Sequence, residues 1–234
     1  MITLTPRPVP LVLAAPSGAG KTSIARGLVR SHDEYRFSVS ATTRQPRAGE
    51  EDGRDYHFVD ESRFETMIQA GELAEWARVH GNLYGTPRAE LLRCQEAGCT
   101  PVLDIDVHGA LQVRAGFPEA LLVFVLPPSA EEMLRRLHLR NSEGAEEIRR
   151  RLDTALAELE RVEQFDYVVV NSLLDETIRT IDRIVRVEGR RPFRLSDLGS
   201  QVAELRRSIE ADLRALPIRS DSDREHRQGL EPNP

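Results

Sequence analysis

The chain has 234 residues, 40% of them apolar and 30% charged, so it can bury a full core in one domain of moderate size, with or without a small insert. Its net charge of −6 argues against a general nucleic-acid binder, and no run reaches the roughly twenty apolar residues of a membrane-spanning helix. Two cysteines and no secretory apolar segment at the start lead us to expect a reduced, cytoplasmic setting, and the histidines and cysteines lack the spacing of a zinc site.

Strand and helix signals alternate along most of the chain, strands as short apolar runs and helices as apolar residues at three- and four-residue spacing. In chain order we predict a strand at 11–15, a helix at 23–30, a mixed segment at 37–87, a helix from 87 to about 97, strands at 100–105 and 121–126, helices at 129–140 and 146–162, a strand at 165–170 and a helix at 175–187. This alternation indicates a three-layer α/β fold, with helices on both faces of a parallel sheet. Ligands of such sheets bind at the carboxyl ends of the strands.

The segment 37–87 interrupts the alternation. It combines an alternating run, a polar turn-rich stretch, a short strand, a helix and a hairpin, which we predict at 37–42, 44–55, 56–59, 61–70 and 72–84. Such a mixture is typical of a small α+β insert rather than of the main sheet.

The stretch LVLAAPSGAGKTS, from residue 11 to residue 23, predicts a phosphate-binding loop between the first strand and the first helix. Gly18 and Gly20 lack a Cβ, so the loop can turn back and point N–H groups at a phosphate, where the helix N-terminus adds partial positive charge. Lys21, the only lysine in the chain, supplies a cation for the β- and γ-phosphates, and Thr22 a hydroxyl for Mg²⁺. Ala15 stands where the strict pattern has glycine, which a backbone without positive φ tolerates.

Three side chains of the insert could hold a second phosphate. Arg44 and Arg47, three residues apart on one loop, can grip a dianionic phosphate with forked donors, and the hydroxyl of Tyr56 can add a further hydrogen bond. The alternative is that these arginines lie on a solvated loop.

Glu75 is the residue that leads us to expect recognition of a guanine base. A carboxylate accepts hydrogen bonds from two adjacent donors, which the N1–H and 2-amino edge of guanine offers, whereas adenine presents an acceptor at N1. Hydroxyls at Ser40 or Thr86 could donate to guanine O6. The alternative for Glu75 is a solvent-facing neighbour of a buried Trp76 ring.

With these residues in view, the chain resembles the guanylate kinases, a family of P-loop nucleoside monophosphate kinases. The resemblance covers 11–188 and rests on APSGAGKTS, FSVSATTRQPRAGEEDGRDYHF, EWARVHGNLYGTP, LDIDVHGA, LPPSAEEMLRRLHLR and DYVVVN, in the order of the family. It implies a P-loop NTPase fold with a GMP-binding insert and a helical lid. The implied activity is MgATP-dependent phosphorylation of GMP, with dGMP as a further acceptor, to the diphosphate with release of ADP.

The resemblance also implies a role for each site residue. ATP would be bound by Ala15, Pro16, Ser17, Gly18, Ala19, Gly20, Lys21, Thr22 and, near the adenine, Asn171. GMP would be bound by Ser40, Arg44, Arg47, Tyr56, Glu75, Tyr84, Thr86 and Asp106. Thr22 and Asp104 would serve Mg²⁺, in part through water. The catalytic residues, which stabilise charge on the transferring phosphoryl group, would be Lys21, Arg44, Arg136, Arg140 and Arg151.

Two departures from the family pattern bear on ATP affinity and on the lid. Asn141 replaces a glycine after the lid arginine, where Gly144 could compensate, and Ser172 replaces an acid after Asn171. Two other functions stay open. A ribose 1,5-bisphosphate kinase of the same fold would have no need of Glu75 and Asp106, and a non-catalytic guanylate-kinase-like binding module would be expected to lose the phosphate loop.

The domain organisation follows from these assignments. We expect a guanylate kinase-like domain at 9–189, with its core at 9–36 and 88–189, its insert at 37–87 and its lid at 136–151. An apolar stripe at three- and four-residue spacing predicts an amphipathic helix within 190–216. The helix could pack on its own domain or pair with a second copy as a homodimer. The polar stretch 217–234 is predicted to be disordered.

Overall fold

The computed structural model describes residues 2–79, 81–140 and 145–216. In chain order, its elements are β1 (Leu11–Ala14), α1 (Lys21–Ser31), β2 (Tyr35–Phe37), β3 (Ala41–Thr42), β4 (His57–Phe58), α2 (Glu61–Gln69), β5 (Leu73–Val79), β6 (Asn82–Pro87), α3 (Arg88–Glu96), β7 (Thr100–Asp104), α4 (Val107–Gly116), β8 (Leu121–Leu126), α5 (Ala130–Arg140), α6 (Ala145–Leu159), β9 (Tyr167–Val170), α7 (Leu174–Glu188) and α8 (Leu198–Ala215). Within the described ranges, no helix is long and apolar enough to cross a membrane.

The main sheet has five strands in the order β2-β7-β1-β8-β9, and all its pairings are parallel. This confirms the predicted α/β fold. Strand β1 lies in the middle and all four of its residues are buried, which explains its continuous apolar run. One face of the sheet packs against α1 and α7 through Leu28 and Ile181, and the other packs against α4 through Ala110 and Val113. The sheet is therefore the middle of three layers.

A second sheet lies within the insert, with the strand order β4-β3-β6-β5. Strands β5 and β6 form an antiparallel hairpin, β3 pairs antiparallel with β6, and β3 and β4 are parallel. Helix α2 contributes Phe64 and Met67 to a small core with Ala41 and Leu83. This core fixes the hairpin that carries Glu75.

The alternating run predicted at 37–42 is divided between the two sheets. Strand β2 pairs with β7 in the main sheet, whereas β3 belongs to the second sheet. The side chain of Tyr35, in β2, is fully buried and its hydroxyl donates to Asp182 of α7 at 3.0 Å, which ties this strand to a helix that covers the main sheet. The expectation that 37–42 forms one stretch of the insert is therefore corrected at its first residue, Phe37.

Helix α4 is an element that apolar spacing did not predict. Its sequence, VHGALQVRAG, includes two glycines and a histidine, which weaken the helical pattern. Asp106 caps the N-terminus of the helix, because its Oδ1 accepts a hydrogen bond from the Gly109 N–H at 2.7 Å.

The chain divides into two compact units, Arg7–Arg194 and the described residues on either side of that range, 2–6 and 195–216. In the smaller unit, the backbone N–H of Thr5 donates to Asp197 Oδ1 at 3.0 Å and that of Ser196 to the carbonyl of Thr5 at 3.1 Å. Helix α8 follows, and none of its residues is buried.

Candidate active site

The predicted phosphate loop connects β1 to α1 at the carboxyl end of the main sheet. Gly18 and Gly20 have φ values of +89° and +92°, in the left-handed region that favours glycine. A Cβ on Gly20 would lie 2.5 Å from Asn171 Nδ2, so this position also lacks room for a side chain. Helix α1 begins directly at Lys21, and its first N–H groups therefore face the loop.

Lys21 is held by oxygens at the end of β7. Its ammonium forms an ion pair with Asp104 Oδ1 at 3.3 Å and donates to the carbonyl oxygen of Ile105. Because β7 is the parallel neighbour of β1, the ends of these two strands bring the lysine and the carboxylate together.

Two predicted site residues, Asn171 for ATP binding and Arg136 for catalysis, form hydrogen bonds with the phosphate loop. Asn171 is 5% exposed and its Nδ2 donates to the carbonyl of Ala19 at 2.8 Å, while Thr177 donates to its Oδ1 at 3.2 Å. Arg136, on α5, donates to the carbonyls of Ala19 and Asn171, each at 3.2 Å. Its Nε donates to Glu132 at 2.7 Å. These contacts connect α5, β9 and the loop.

The hairpin of the insert buries a carboxylate. Glu75 on β5 stands opposite Thr86 on β6, and the Thr86 hydroxyl donates to Glu75 Oε1 at 2.6 Å. The two residues are 6% and 1% exposed. Burial raises the pKa of Glu75 to about 6, with the charge of Asp106 adding to this effect and the Thr86 hydrogen bond opposing it.

Asp106 lies close to this pair. A Cβ built on Gly109 would be 3.0 Å from Glu75 Oε2 and 3.4 Å from Asp106 Oδ1, so the two carboxylates flank the same glycine. A side chain on Gly109 would press on Glu75 Oε2, the oxygen that the Thr86 hydroxyl leaves for another partner.

The arginines of the insert are organised by Glu50. Arg44 donates to both oxygens of Glu50, at 3.0 and 2.9 Å, and the Arg47 N–H donates to Glu50 Oε2 at 2.7 Å. The Arg44 guanidinium also lies 5.3 Å from the centre of the Tyr56 ring, and the rings of Tyr56 and Tyr84 meet edge to face at 6.1 Å. The Arg44 guanidinium lowers the pKa of Glu50.

Two adjoining cavities bring most of the predicted residues together. The larger, about 690 Å³, is lined by Thr22, Ser40, Arg44, Arg47, Tyr56, Tyr84 and Asp104 among others. The smaller, about 360 Å³, shares four of these residues and adds Lys21, Glu75 and Asp106. The cavities thus connect the start of α1 with the hairpin of the insert.

Some of the other predicted residues are not among the lining residues of these two cavities, and some lie outside the described part of the structure. Arg151 is a half-buried residue of α6. Arg140 is the last residue of α5, but its side chain lies outside the described part of the structure, as do Asn141 and Gly144. Ser172 is exposed, and its N–H donates to the carbonyl of Val170 at 3.2 Å.

Sequence inspection missed two acids of the site. Glu50, which pairs with Arg44, lies in a polar loop where no periodicity predicts which charges meet. Glu158 lies on α6, seven residues after Arg151 and therefore on the same helix face. Burial raises the pKa of Glu158 to about 7, with the Lys21 charge opposing and Asp106 adding, and its Oε2 has no hydrogen-bond partner among the described residues.

The parallel sheet with its phosphate loop after the central strand defines a P-loop NTPase-type nucleotide-binding fold. The family model described as guanylate kinase matches residues 7–188. The chain therefore belongs to the guanylate kinase family. It is 47% identical over 184 residues to a guanylate kinase of Syntrophotalea carbinolica, covering 79% of this chain and 88% of the relative. It is also 47% identical over 178 residues to one from Dechloromonas aromatica, with 76% and 88% covered.

A solved structure agrees with these matches. The crystal structure of guanylate kinase from Anaplasma phagocytophilum superimposes with a TM-score of 0.67 at 36% identity, covering 85% of this chain and 95% of that one. The resemblance inferred from the motifs is thus confirmed at the level of family and fold. The family match favours guanylate kinase activity over the sugar-phosphate kinase and the binding module.

Proposed function

We propose that this protein transfers the γ-phosphoryl group of ATP to the phosphate of GMP, giving ADP and GDP, with dGMP as a further acceptor. The observation that carries the proposal is the buried Glu75 carboxylate, which accepts from Thr86 and lines a cavity that Lys21 also lines. A base-recognising carboxylate and a phosphate-binding lysine in one cavity suit an acceptor that joins guanine to a phosphate. The proposed setting is purine nucleotide metabolism in the cytoplasm.

GMP binding is divided between the two ends of the connected cavities. Arg44, Arg47, Tyr56 and Tyr84 would hold its phosphate, supported by their grouping around one cavity. To do so, Arg44 exchanges at least part of its bidentate pairing with Glu50 for the phosphate oxygens. Proposed contacts with the guanine come from Ser40, Glu75, Thr86 and Asp106.

ATP binding is assigned to the loop from Ala15 to Thr22, with Asn171 beside the adenine. Backbone N–H groups of the loop and the ammonium of Lys21 would surround the β- and γ-phosphates. Thr22 and Asp104 offer oxygen donors to the same cavity, which suits Mg²⁺. When bound, the ion supplies positive charge to the phosphate oxygens.

For phosphoryl transfer, the protein has to position the substrates and supply positive charge. In this proposal Lys21, Arg44, Arg136, Arg140 and Arg151 stabilise the negative charge on the oxygens as the GMP phosphate attacks in line. The contact of Arg136 with the loop carbonyl of Ala19 supports its part. The insert and the lid would close over the substrates and exclude water.

In this proposal the core consists of 9–36 and 88–189, the GMP-binding insert of 37–87 and the lid of 136–151. The second sheet, with its own small core around Phe64, supports the insert as a separate module. The helix within 190–216 is left with two possible roles, packing on its own domain or forming a homodimer. Residues 217–234, which we predict to be disordered, lie outside the described residues.

An acceptor comparison tests the function. Purified protein is given MgATP with GMP, AMP, UMP or ribose 1,5-bisphosphate, and ADP formation is followed with a coupled assay. Turnover with GMP at least a hundredfold above the other acceptors is the expected result. Turnover with the sugar phosphate alone would contradict the proposal, as would tight GMP binding without turnover on any acceptor.

A further inference from the structure

The strand that carries Glu75 has a neighbouring strand on one side only. Strand β5 lies at the edge of the second sheet, whose order is β4-β3-β6-β5. Directly before Glu75 its pairing with β6 is irregular: Leu73 lies opposite Pro87, but two residues later along β5 the partner on β6 has moved by only one position. Pro87 also has no N–H with which to donate a hydrogen bond. Strand pairing alone therefore holds the backbone around Glu75 less firmly than a regular ladder would.

One side chain of helix α4 occupies the other edge of β5. The Trp76 N–H donates to Gln112 Oε1 at 3.1 Å, and Gln112 Nε2 donates to the Trp76 carbonyl at 3.0 Å. The side-chain amide thus exchanges two hydrogen bonds with the backbone of one residue, as a residue of a neighbouring antiparallel strand would. Because Trp76 directly follows Glu75, these bonds hold β5 immediately beside the carboxylate.

The same face of α4 also approaches the Glu75 side chain. Gly109 precedes Gln112 by three residues and therefore shares its face of the helix, and a Cβ on Gly109 would lie 3.0 Å from Glu75 Oε2. Ala74, the residue before Glu75, packs with Ala110 of α4 in a buried apolar cluster. Apolar packing has no preferred direction, whereas a pair of hydrogen bonds fixes both distance and orientation. The amide of Gln112 therefore sets where β5 stands against α4.

We propose that Gln112 is a positioning residue for base recognition, which aligns both oxygens of Glu75 with the N1–H and 2-amino donors of guanine. This inference rests on the proposed function, in which Glu75 binds the guanine of GMP. Gln112 is among the lining residues of neither active-site cavity, so it acts through β5 rather than by touching the nucleotide. Without its two hydrogen bonds, Glu75 loses the alignment that lets it accept from two donors at once. The loss falls on a base that offers both donors.

Isothermal titration with GMP and with inosine monophosphate, which has N1–H but no 2-amino group, tests this role. Gln112→Met keeps the length of the side chain and a good helix former but removes both hydrogen bonds. The matched control is Gln95→Met, the same exchange on α3, which removes a hydrogen bond from Nε2 to the Pro8 carbonyl at 2.7 Å. Gln95 lines neither active-site cavity.

We expect Gln112→Met to weaken GMP binding about tenfold, the loss that follows when one hydrogen bond to a charged acceptor is broken. Binding of inosine monophosphate should weaken less than threefold, and Gln95→Met should change neither affinity more than twofold. Equal weakening of both nucleotides by Gln112→Met is the result of a merely structural role, and it would overturn the proposal, as would unchanged GMP binding. If Gln112→Met does not fold, Gln112→Glu, which still accepts from the Trp76 N–H but cannot donate to its carbonyl when ionised, decides by the same comparison.

Turnover of GMP by the wild type, measured separately, distinguishes this inference from the proposed function. A protein that binds GMP and shows the expected change in preference, but forms no GDP, would contradict the kinase activity and support the role of Gln112. Normal turnover with an unchanged preference in Gln112→Met would overturn the role of Gln112 alone. No binding of GMP to the wild type would overturn both.

Discussion

Replacing Glu75 by glutamine tests base recognition with little change of shape. The carboxylate can accept from both N1–H and the 2-amino group of guanine, whereas an amide presents one oxygen and one NH₂ donor. The variant therefore loses a hydrogen bond to a charged acceptor, worth about 1.5–3 kcal/mol, and leaves a buried donor unpaired at about 1–3 kcal/mol. Since a factor of ten in rate corresponds to about 1.4 kcal/mol, kcat/KM for GMP should fall by about 10²–10⁴.

The assay compares GMP with inosine monophosphate, which has N1–H but no 2-amino group. If Glu75 contacts both donors, Glu75→Gln should cost at least ten times less with the inosine acceptor than with GMP. The control is Glu72→Gln, the same exchange at a side chain that is 42% exposed and paired with Arg63 at 2.8 Å. Equal losses with the two acceptors, or no loss with GMP, would refute the assignment of Glu75.

The free energy of unfolding of Glu75→Gln, measured against pH, distinguishes a loss of base recognition from a loss of folding. Because burial raises the pKa of Glu75 from 4.5 to about 6, the folded state favours the protonated acid. The stabilising contribution of this protonation is present below pH 4.5 and is lost as the pH rises through 6, at a cost of about 2 kcal/mol. In urea unfolding, the free energy of unfolding of the variant, relative to that of the wild type, should therefore increase by about 2 kcal/mol from pH 4 to pH 8. A difference that does not change with pH would contradict the buried, ionisable Glu75.

Three further substitutions test other parts of the site. Gly20→Ala places a Cβ 2.5 Å from Asn171 Nδ2 at a φ of +92°, and it should weaken ATP binding at least tenfold in a titration. The control is Gly98→Ala, at a φ of +76° with open space around it, which should lower only the free energy of unfolding, by about 1 kcal/mol. Arg44→Lys removes the fork and should raise KM for GMP by about ten- to a hundredfold with an unchanged KM for ATP, and an unchanged KM for GMP would contradict its role. Phe64→Ala empties the core of the second sheet, so urea unfolding should show a loss of about 3–5 kcal/mol, and a loss below 1 kcal/mol would contradict its full burial.

The sequence could predict those parts of the site whose residues are contiguous. The phosphate loop is one such part, because the apolar run of β1, the glycines and Lys21 follow one another directly. The hairpin that carries Glu75 and Thr86 was also within reach, because Gly81 follows the run of β5. Its register was not, since Asn82, predicted as a turn residue, is the first residue of β6 and pairs with Val79, and this shift is what places Thr86 opposite Glu75.

The remaining features depend on contacts between distant segments. The division of 37–42 between two sheets is decided by the pairing of β2 with β7, whose partner residues come 65 positions later in the chain. The ion pair of Arg44 with Glu50 depends on how a polar loop closes, and the support of the phosphate loop by Asn171 depends on the position of β9. Local periodicity contains none of this information.

The most direct test of the account is the stoichiometry of the products. Purified protein is incubated with MgATP and GMP, and ADP and GDP are measured together by chromatography, for the wild type and for Lys21→Ala. The account predicts equal amounts of ADP and GDP, no ADP without GMP, and a fall in kcat of about 10³ for Lys21→Ala, measured at a temperature at which the variant is folded. ADP without GDP, or a Lys21→Ala variant as active as the wild type, would contradict it.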